Sequence, residues 1–340
     1  MRPNRALALV VLAILLVVLV VTAVGVGAVR ISPLLTVQVL GRALGLPLPA
    51  PQNATDVTII TLLRLPRVIA ALLVGASLAV CGVVMQGLFR NPMASPEILG
   101  LSAGGSLGAV VAITTGLAGL SVYSLPLLTI AGALASTLLI YLLSSARGTT
   151  SLLFLIIAGM AISALLNGVT SGLLLFARQY EVSQYIFWTM GGLEGRTWQH
   201  VLFSAPVLVP GILVVSLFSR ELNLFSLGEE GAFSLGVEVE RSKRLLLGLC
   251  AVITGIAISV SGPVGFIGLL VPHLLRLVVG ADHRTLIPAA ALGGALFLVA
   301  CDLLGRSIAP PFEIRAGIIT AVIGSPYLLA LIIRTQRRAP

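Results

Sequence analysis

The chain has 340 residues, 58% of them hydrophobic and 10% charged, with a mean hydropathy of +1.11 and a formal net charge of +9. Water-soluble domains carry about 25% charged residues, so a soluble fold could not bury this much apolar side chain, whereas lipid accepts it. Lys243 is the one lysine and the arginines lie between apolar runs, so the positive charge reads as orientation-setting at helix ends and excludes a nucleic-acid patch.

Breaks at charges, Pro/Gly clusters and polar loops predict an all-α polytopic membrane protein of about ten transmembrane helices in a single domain over residues 1–340. The expected spans are 6–29, 62–87, 95–113, 121–145, 150–177, 199–219, 243–262, 264–280, 286–307 and 316–334. The first apolar run, Ala6 to Val29, exceeds the 7–15 residues of a signal-peptide core and is read as an uncleaved first helix. Cys81, Cys250 and Cys301 sit inside apolar runs without CxxC spacing, which makes them packing residues and neither disulfide partners nor metal ligands. Glycines recur at helical spacing, as in Gly100/Gly104/Gly108, where they let helix backbones approach. Pro66, Pro92, Pro96 and Pro126 stand at loops and helix starts.

Placing the N-terminus in the cytoplasm puts thirteen basic residues inside: Arg2, Arg5, Arg90, Arg147, Arg220, Arg241, Lys243, Arg244, Arg276, Arg284, Arg334, Arg337 and Arg338. Eight fall outside: Arg30, Arg42, Arg64, Arg67, Arg178, Arg196, Arg306 and Arg315. The bias favours both termini in the cytoplasm. The stretch Gly75–Gly82 echoes Gly255–Gly262, with matching glycines, Val80 against Val260 and Leu78 against Ile258. The first lies on an inward-running span and the second on an outward-running one. This pattern fits two five-helix halves forming an inverted repeat with the pathway between them.

The longest inside loop, 220–244, holds five of the twelve acidic residues. Leu224, Phe225, Leu227, Phe233 and Leu235 supply expected apolar anchors, and Ser226 ahead of Glu229 and Glu230 reads as a capping box. One or two short helices lying along the membrane face are expected, either as a plain interfacial segment or as a docking ridge for a cytoplasmic partner. Acidic residues disfavour an anionic lipid surface and tilt the reading to the partner. No GxxxxGK[ST] occurs, so any ATP that drives the chain is used by another subunit. Intramembrane ionisable residues are scarce (Asp302, Glu97, His273 and Arg276), which argues against proton coupling. Arg90 to Gly100 places two prolines around a helix start, either a tight turn or a rigid constriction at the cytoplasmic mouth.

These residues together resemble the FecCD family, the permease subunits of type II ATP-binding-cassette importers for iron-siderophore, haem and cobalamin. The resemblance rests on Arg64-Leu-Pro-Arg67, Gly75–Gly82, Gln86 with Arg90-Asn-Pro-Met-Ala-Ser-Pro-Glu-Ile-Leu-Gly100, and Trp188-Thr-Met-Gly-Gly192. It continues through Leu227-Gly228-Glu229, Gly262-Pro-Val-Gly-Phe-Ile-Gly268, Pro272-His273, Arg276, Asp282-His283-Arg284, Asp302 and Gly317 to Pro326. The resemblance implies a permease dimer, of two copies or of two related chains, with two P-loop ATPase subunits below and a periplasmic binding protein above. The setting is a bacterial inner membrane. The resemblance further implies that this chain binds no cofactor and is no enzyme itself, ATP and Mg being used by the partner ATPase.

The same resemblance makes 221–240 the ATPase-coupling segment, with Leu227, Gly228, Glu229, Glu230 and Gly236 as its contact residues. It gives Arg64, Arg67 and Arg306 the role of docking the binding protein through bidentate carboxylate contacts. It assigns Asn91, Pro92, Met93, Thr150 and Ser151 to a cytoplasmic gate, and treats His273 as structural. Arg315 departs from the proline of many relatives and adds charge near the outer entrance. The expected cargo is a metal chelate, a ferric siderophore first, then haem, cobalamin and more remotely molybdate. The alternative is an ion-coupled secondary transporter. A membrane enzyme is disfavoured because the three histidines are scattered.

Overall fold

A computed structural model describes residues 5–27, 29, 31–43, 45–49, 53–146, 149–309 and 311–336. Arg2, Arg30, Arg147, Arg337 and Arg338, which enter the orientation count, lie outside the described residues, as do both chain ends. The chain is helical: α1 (Arg5–Gly25), α2 (Pro33–Ala43), α3 (Ala54–Thr58), a π-helical turn (Ile59–Arg64), α4 (Leu65–Leu88), a 3₁₀ turn (Pro96–Leu99), α5 (Leu101–Thr114) and α6 (Ser124–Ser144). A two-residue hairpin of β1 (Ser145–Ala146) and β2 (Thr149–Thr150) leads into α7 (Leu152–Leu175). Then follow α8 (Gln179–Thr189), α9 (Trp198–Leu217), α10 (Ser219–Phe225), α11 (Glu229–Ser234), α12 (Val239–Ser261), α13 (Ile267–Val279), α14 (His283–Ser307) and α15 (Ala316–Gln336).

Each of the ten expected spans has its helix. Among the described residues seven are long and apolar enough to cross a membrane, while α5, α13 and the stretch Ala316–Leu331 of α15 are shorter apolar segments. The second span is longer than expected. The chain stays helical from Ala54 to Leu88, with Asn53 capping the start through its side chain and the π turn carrying Arg64 at its end. α2 and α8 are additional: both are short, mix polar with apolar residues, and lack the length to span.

The centre of the bundle is α4, packed against α14, α12, α13 and α9. α4 and α14 run antiparallel, because Arg67 meets Asp302, Gly75 meets Gly294 and Gly87 meets His283. A Cβ at Gly75 would collide with the Gly294 carbonyl, and one at Gly82 with the Gly268 carbonyl. Only glycine lets these backbones touch, and dispersion across such contacts replaces the hydrophobic effect that lipid cannot supply. In each half a long buried helix, α4 or α12, is followed by a short one, α5 or α13, and then by a long one, α6 or α14. α1 and α7 are peripheral: α7 buries only Leu155, Gly159 and Thr170.

Candidate functional site

The charged residues separate to the two ends of the bundle. At the end where α1 finishes, Arg64 is 7% and Arg306 5% exposed. Arg64 donates through Nη1 to the Val24 and Gly25 carbonyls at 2.9 and 2.6 Å, and through Nη2 to Val29 O. Arg306 donates to Val26 O at 2.8 Å and to Ala23 O. A helix leaves its last carbonyls unpaired, and here two guanidinium forks from α14 and the π turn satisfy those of α1. Arg67 grips Asp302 with Nε and Nη2 at 2.9–3.1 Å and Glu313 with Nη1 at 2.8 Å. Asp302 also faces Arg306 Nε at 3.6 Å.

The three arginines that the resemblance gives to docking, Arg64, Arg67 and Arg306, all bond within the chain. Arg64 and Arg306 are buried and engaged by carbonyls at and just beyond the end of α1, of which Gly25 O also accepts from Ile31 N at 3.3 Å. Arg67 keeps partial exposure, with a side chain 14% accessible. Arg315 pairs with Glu194 at 3.4 Å and stacks over Phe187, so its extra charge is held at the same end. Burial and the neighbouring Arg315 lower the Arg196 pKa to about 10.

At the opposite end lies the 218–240 segment. α10 and α11 are two short helices, as expected, but their capping and anchoring differ from the sequence reading. Ser226 bonds back to Asn223 O at 2.6 Å and closes α10, while Gly228, at φ 95°, is the N-cap of α11. Gly236, at φ 83°, stands just beyond α11, so the short helix is bracketed by residues that adopt left-handed φ without a Cβ penalty. The anchors are Leu222, Phe225 and Ala232, which are buried. Leu227, Phe233 and Leu235 instead point outward at 62%, 72% and 52% exposed, beside the exposed Glu229 and Glu230. Leu227, Glu230, Phe233 and Leu235 are exposed on one short segment, and Glu229 among them is exposed while its Oε2 accepts from Lys243 Nζ of α12 at 3.0 Å.

The expected gate residues border this segment from two sides. Asn91 caps its own turn by accepting from Met93 N at 2.9 Å, and Asn91, Pro92 and Met93 are exposed. The preceding Arg90 takes a left-handed φ of 46° and brings its guanidinium beside Gly228. Arg90 and Pro92 line a cavity of about 260 Å³ with Leu222, Asn223, Ser226, Arg276 and His283. On the other side Thr150 is buried, and Ser151 accepts from Phe154 N at 3.4 Å as the N-cap of α7. Thr150 is tied to Lys243 and Glu240 of α12.

The same end is laced by Asp282, which accepts from Asn223 Nδ2 at 2.9 Å and Arg5 Nη1 at 3.1 Å, while Asn223 Oδ1 accepts from His283 N at 2.9 Å. The Asn223 amide, followed by the Arg284 N–H and Arg5, holds the Asp282 carboxyl below its ordinary range. Sequence reading missed this network and the bond of Lys243 to Thr150, because they join residues far apart in the chain. The usable signal was Lys243 itself, a lone lysine among five glutamates.

Between the two ends, the motif loops converge. Ser95, Pro96 and Glu97 face Val264, Gly265 and Phe266 across a cavity of about 100 Å³ that Thr254 and Ile258 complete. Gly191 lies against the Pro263 carbonyl and Gly262 against that of Trp188, while Gly192 N donates to Ser261 O at 2.7 Å and Gly317 N to Gly191 O at 3.0 Å. Motifs from about 70 to more than 160 residues apart in the chain therefore pack together at the junction of the two halves.

The comparisons with known proteins agree with this arrangement. A model of the FecCD transport family matches residues 15–334. The cobalamin import system permease protein BtuC of Halobacterium salinarum is 42% identical over 285 residues, 84% of this chain and 76% of that protein. The hemin transport system permease protein HmuU of Yersinia pestis is 39% identical over 280 residues, 81% of this chain and 83% of that protein. A solved metal-chelate type ABC transporter in an inward-facing conformation superposes with a TM-score of 0.83 at 34% identity, covering 96% of this chain and 98% of that one. With its multi-pass bundle, its converging motif loops and a match spanning nearly its whole length, the chain belongs to the FecCD transport family.

Proposed function

We propose that this chain is the membrane-spanning permease subunit of an ATP-driven importer that carries a metal chelate from the periplasm to the cytoplasm. The observation that carries the reading is the outward face of Leu227, Glu229, Glu230, Phe233 and Leu235, held on the bundle by Leu222, Phe225 and Ala232. A P-loop ATPase docks on that face, which makes this end cytoplasmic, and binds and hydrolyses ATP with Mg. The cavity walled by Glu97 and the 264–266 loop belongs to the path, with Asn91–Met93 and Thr150–Ser151 as the inner gate. The exposed sides of α7 and α15 meet lipid and a second permease subunit.

The binding protein docks at the opposite end. Of Arg64, Arg67 and Arg306, Arg67 keeps accessible side-chain surface, and its bond to the part-exposed Glu313 can exchange for a partner carboxylate. Arg64 and Arg306 contribute by holding the platform. Names of relatives support a chelate as cargo: cobalamin, hemin and, for FecD of Escherichia coli, Fe(3+) dicitrate. Within that class a ferric siderophore is the first cargo to try, and the binding protein sets the choice.

The test is reconstitution of the chain with its genomic-neighbour ATPase and binding protein in proteoliposomes. ATP-dependent accumulation of a ferric chelate, cobalamin or hemin is expected. Uptake that proceeds on a proton gradient without the ATPase, or failure of the purified chain to retain an ATPase, would overturn the reading.

A further inference from the structure

A lysine ammonium buried without partners costs several kcal/mol, so one that persists must be saturated by acceptors. Lys243, near the start of α12, is 2% exposed. Its Nζ donates to Glu240 Oε1 at 2.6 Å, to Glu229 Oε2 at 3.0 Å and to the Thr150 carbonyl at 3.0 Å. An ammonium has three donors, and all three are used. The other Glu240 oxygen accepts from Thr150 N at 2.9 Å. The Thr150 N–H and C=O are thus both gripped by one ion pair on α12. Thr150 immediately precedes Ser151, the N-cap of α7, and Glu229 is the first residue of α11.

The three acceptors differ in what they lose on release. The Glu229 side chain is 47% and that of Glu240 27% accessible, so either carboxylate can rehydrate, whereas Lys243 cannot. If α11 moves and withdraws Glu229, the buried ammonium keeps only Glu240 and Thr150, and its pull on both increases. Displacement at α11 is thereby felt at the first turn of α7. Arg244 and Tyr141 flank the hairpin, and the Arg241–Glu238 pair beyond them is exposed.

We propose that Lys243, with Glu240, is a positioning residue that couples movement of the ATPase-docking helix α11 to the inner gate at Thr150–Ser151. This rests on the proposed importer function. The test uses the full permease–ATPase complex in proteoliposomes with its binding protein and with cyanocobalamin, hemin and ferric dicitrate as parallel probes. ATP hydrolysis, cargo accumulated per ATP, and hydrogen exchange over residues 149–156 with and without ATP–vanadate are read together.

Lys243→Met is expected to keep the ATPase bound and hydrolysing, to lower cargo per ATP by about tenfold, and to abolish the nucleotide-dependent change in exchange at 149–156. Lys243→Arg restores part of both. Glu240→Ala, which frees the Thr150 N–H while leaving Lys243 paired with Glu229, shifts both readouts the same way, and it decides the matter if Lys243→Met fails to assemble. Normal coupling in Lys243→Met or in Glu240→Ala overturns the proposal. So does a parallel fall of hydrolysis and uptake with lost ATPase in Glu240→Ala, since a plain structural staple would give that result. Failure of the unmutated chain to hold an ATPase strikes the importer function itself and is seen before any variant is made.

Discussion

The two ends of the bundle use charge in opposite ways. At one end Arg64, Arg67 and Arg306 turn inward onto α1 carbonyls, Asp302 and Glu313, so that charge is consumed in holding helices together. At the other end buried residues hold two short helices from beneath, while Glu230 and three large apolar side chains face out and Glu229 is half-exposed on the Lys243 ammonium. A closed network fixes the position of the elements it joins. An open amphipathic face on the glycine-bracketed α11 has fewer contacts to break if it shifts. The contrast separates a rigid platform from a responsive one, and it can be broken by substitution at either end.

The largest effect is expected at the closed end. Asp302 is 3% exposed and is the shared partner of Arg67 and Arg306. Asp302→Ala leaves both guanidinium groups short of their counter-charge, and breaking a buried ion pair from one side costs about 3–5 kcal/mol. Thermal unfolding in detergent, followed by fluorescence size exclusion, should show a steep loss of folded protein. An unshifted midpoint would mean that the cluster is hydrated and the closed end is not a scaffold.

At the open end, Leu227→Ser combined with Phe233→Ser should leave the unfolding midpoint where it was, since both residues are exposed in the free chain. ATPase retention should fall by about 3 kcal/mol in binding free energy, the scale of a pair of apolar interface anchors. Titration of the ATPase into nanodisc-held permease measures it. Lost stability with unchanged affinity would reverse the roles given to the two ends.

The extent to which this contrast could be read in advance depended on range. Ten spans, the sorting of basic residues to two ends and the singular acidity of 220–244 are carried by neighbouring residues, and periodicity and composition report them directly. The direction of individual side chains is not local. Phe225 and Phe233 look alike in the chain, yet one is 3% and the other 72% exposed, because only Phe225 meets the bundle. Arg64 and Arg306 look like free helix-end arginines until the C-terminus of α1, 40 and about 280 residues away in sequence, is brought beside them. α2 and α8 escaped notice because they are too short for a span and too mixed for a clear face.

A smaller effect follows at the same arginine. Arg64→Met keeps the apolar stem and removes the donors to Val24, Gly25 and Val29. A buried carbonyl left unpaired costs about 1–3 kcal/mol, taken here as about 2 kcal/mol for Val24, since Gly25 O keeps the Ile31 N–H and Val29 is exposed. Hydrogen exchange should rise over residues 22–29 and stay unchanged over 221–236. A uniform rise along the chain would show that the network stabilises the bundle as a whole and not the end of α1.

The smallest effect concerns pH and belongs to the open end. The Asn223 amide, then the Arg284 N–H and Arg5, hold the folded-state pKa of Asp282 below its ordinary value. The unfolded carboxyl titrates near 3.9, so the stabilisation is fully present above that pH and is lost as pH falls through the folded-state value. The Asp282 side chain is 33% accessible and Arg5 44%, so screening keeps the contribution below about 1 kcal/mol. Asp282→Asn retains a competent N-cap for α14 and removes the titration. The unmutated chain should therefore melt slightly above Asp282→Asn at pH 7, and the gap should close below about pH 4. If the gap instead widened on acidification, the carboxyl would be held neutral and not ionised. The link from α10 to α14 through Asn223 would then be an uncharged hydrogen bond, insensitive to the salt that should otherwise weaken it.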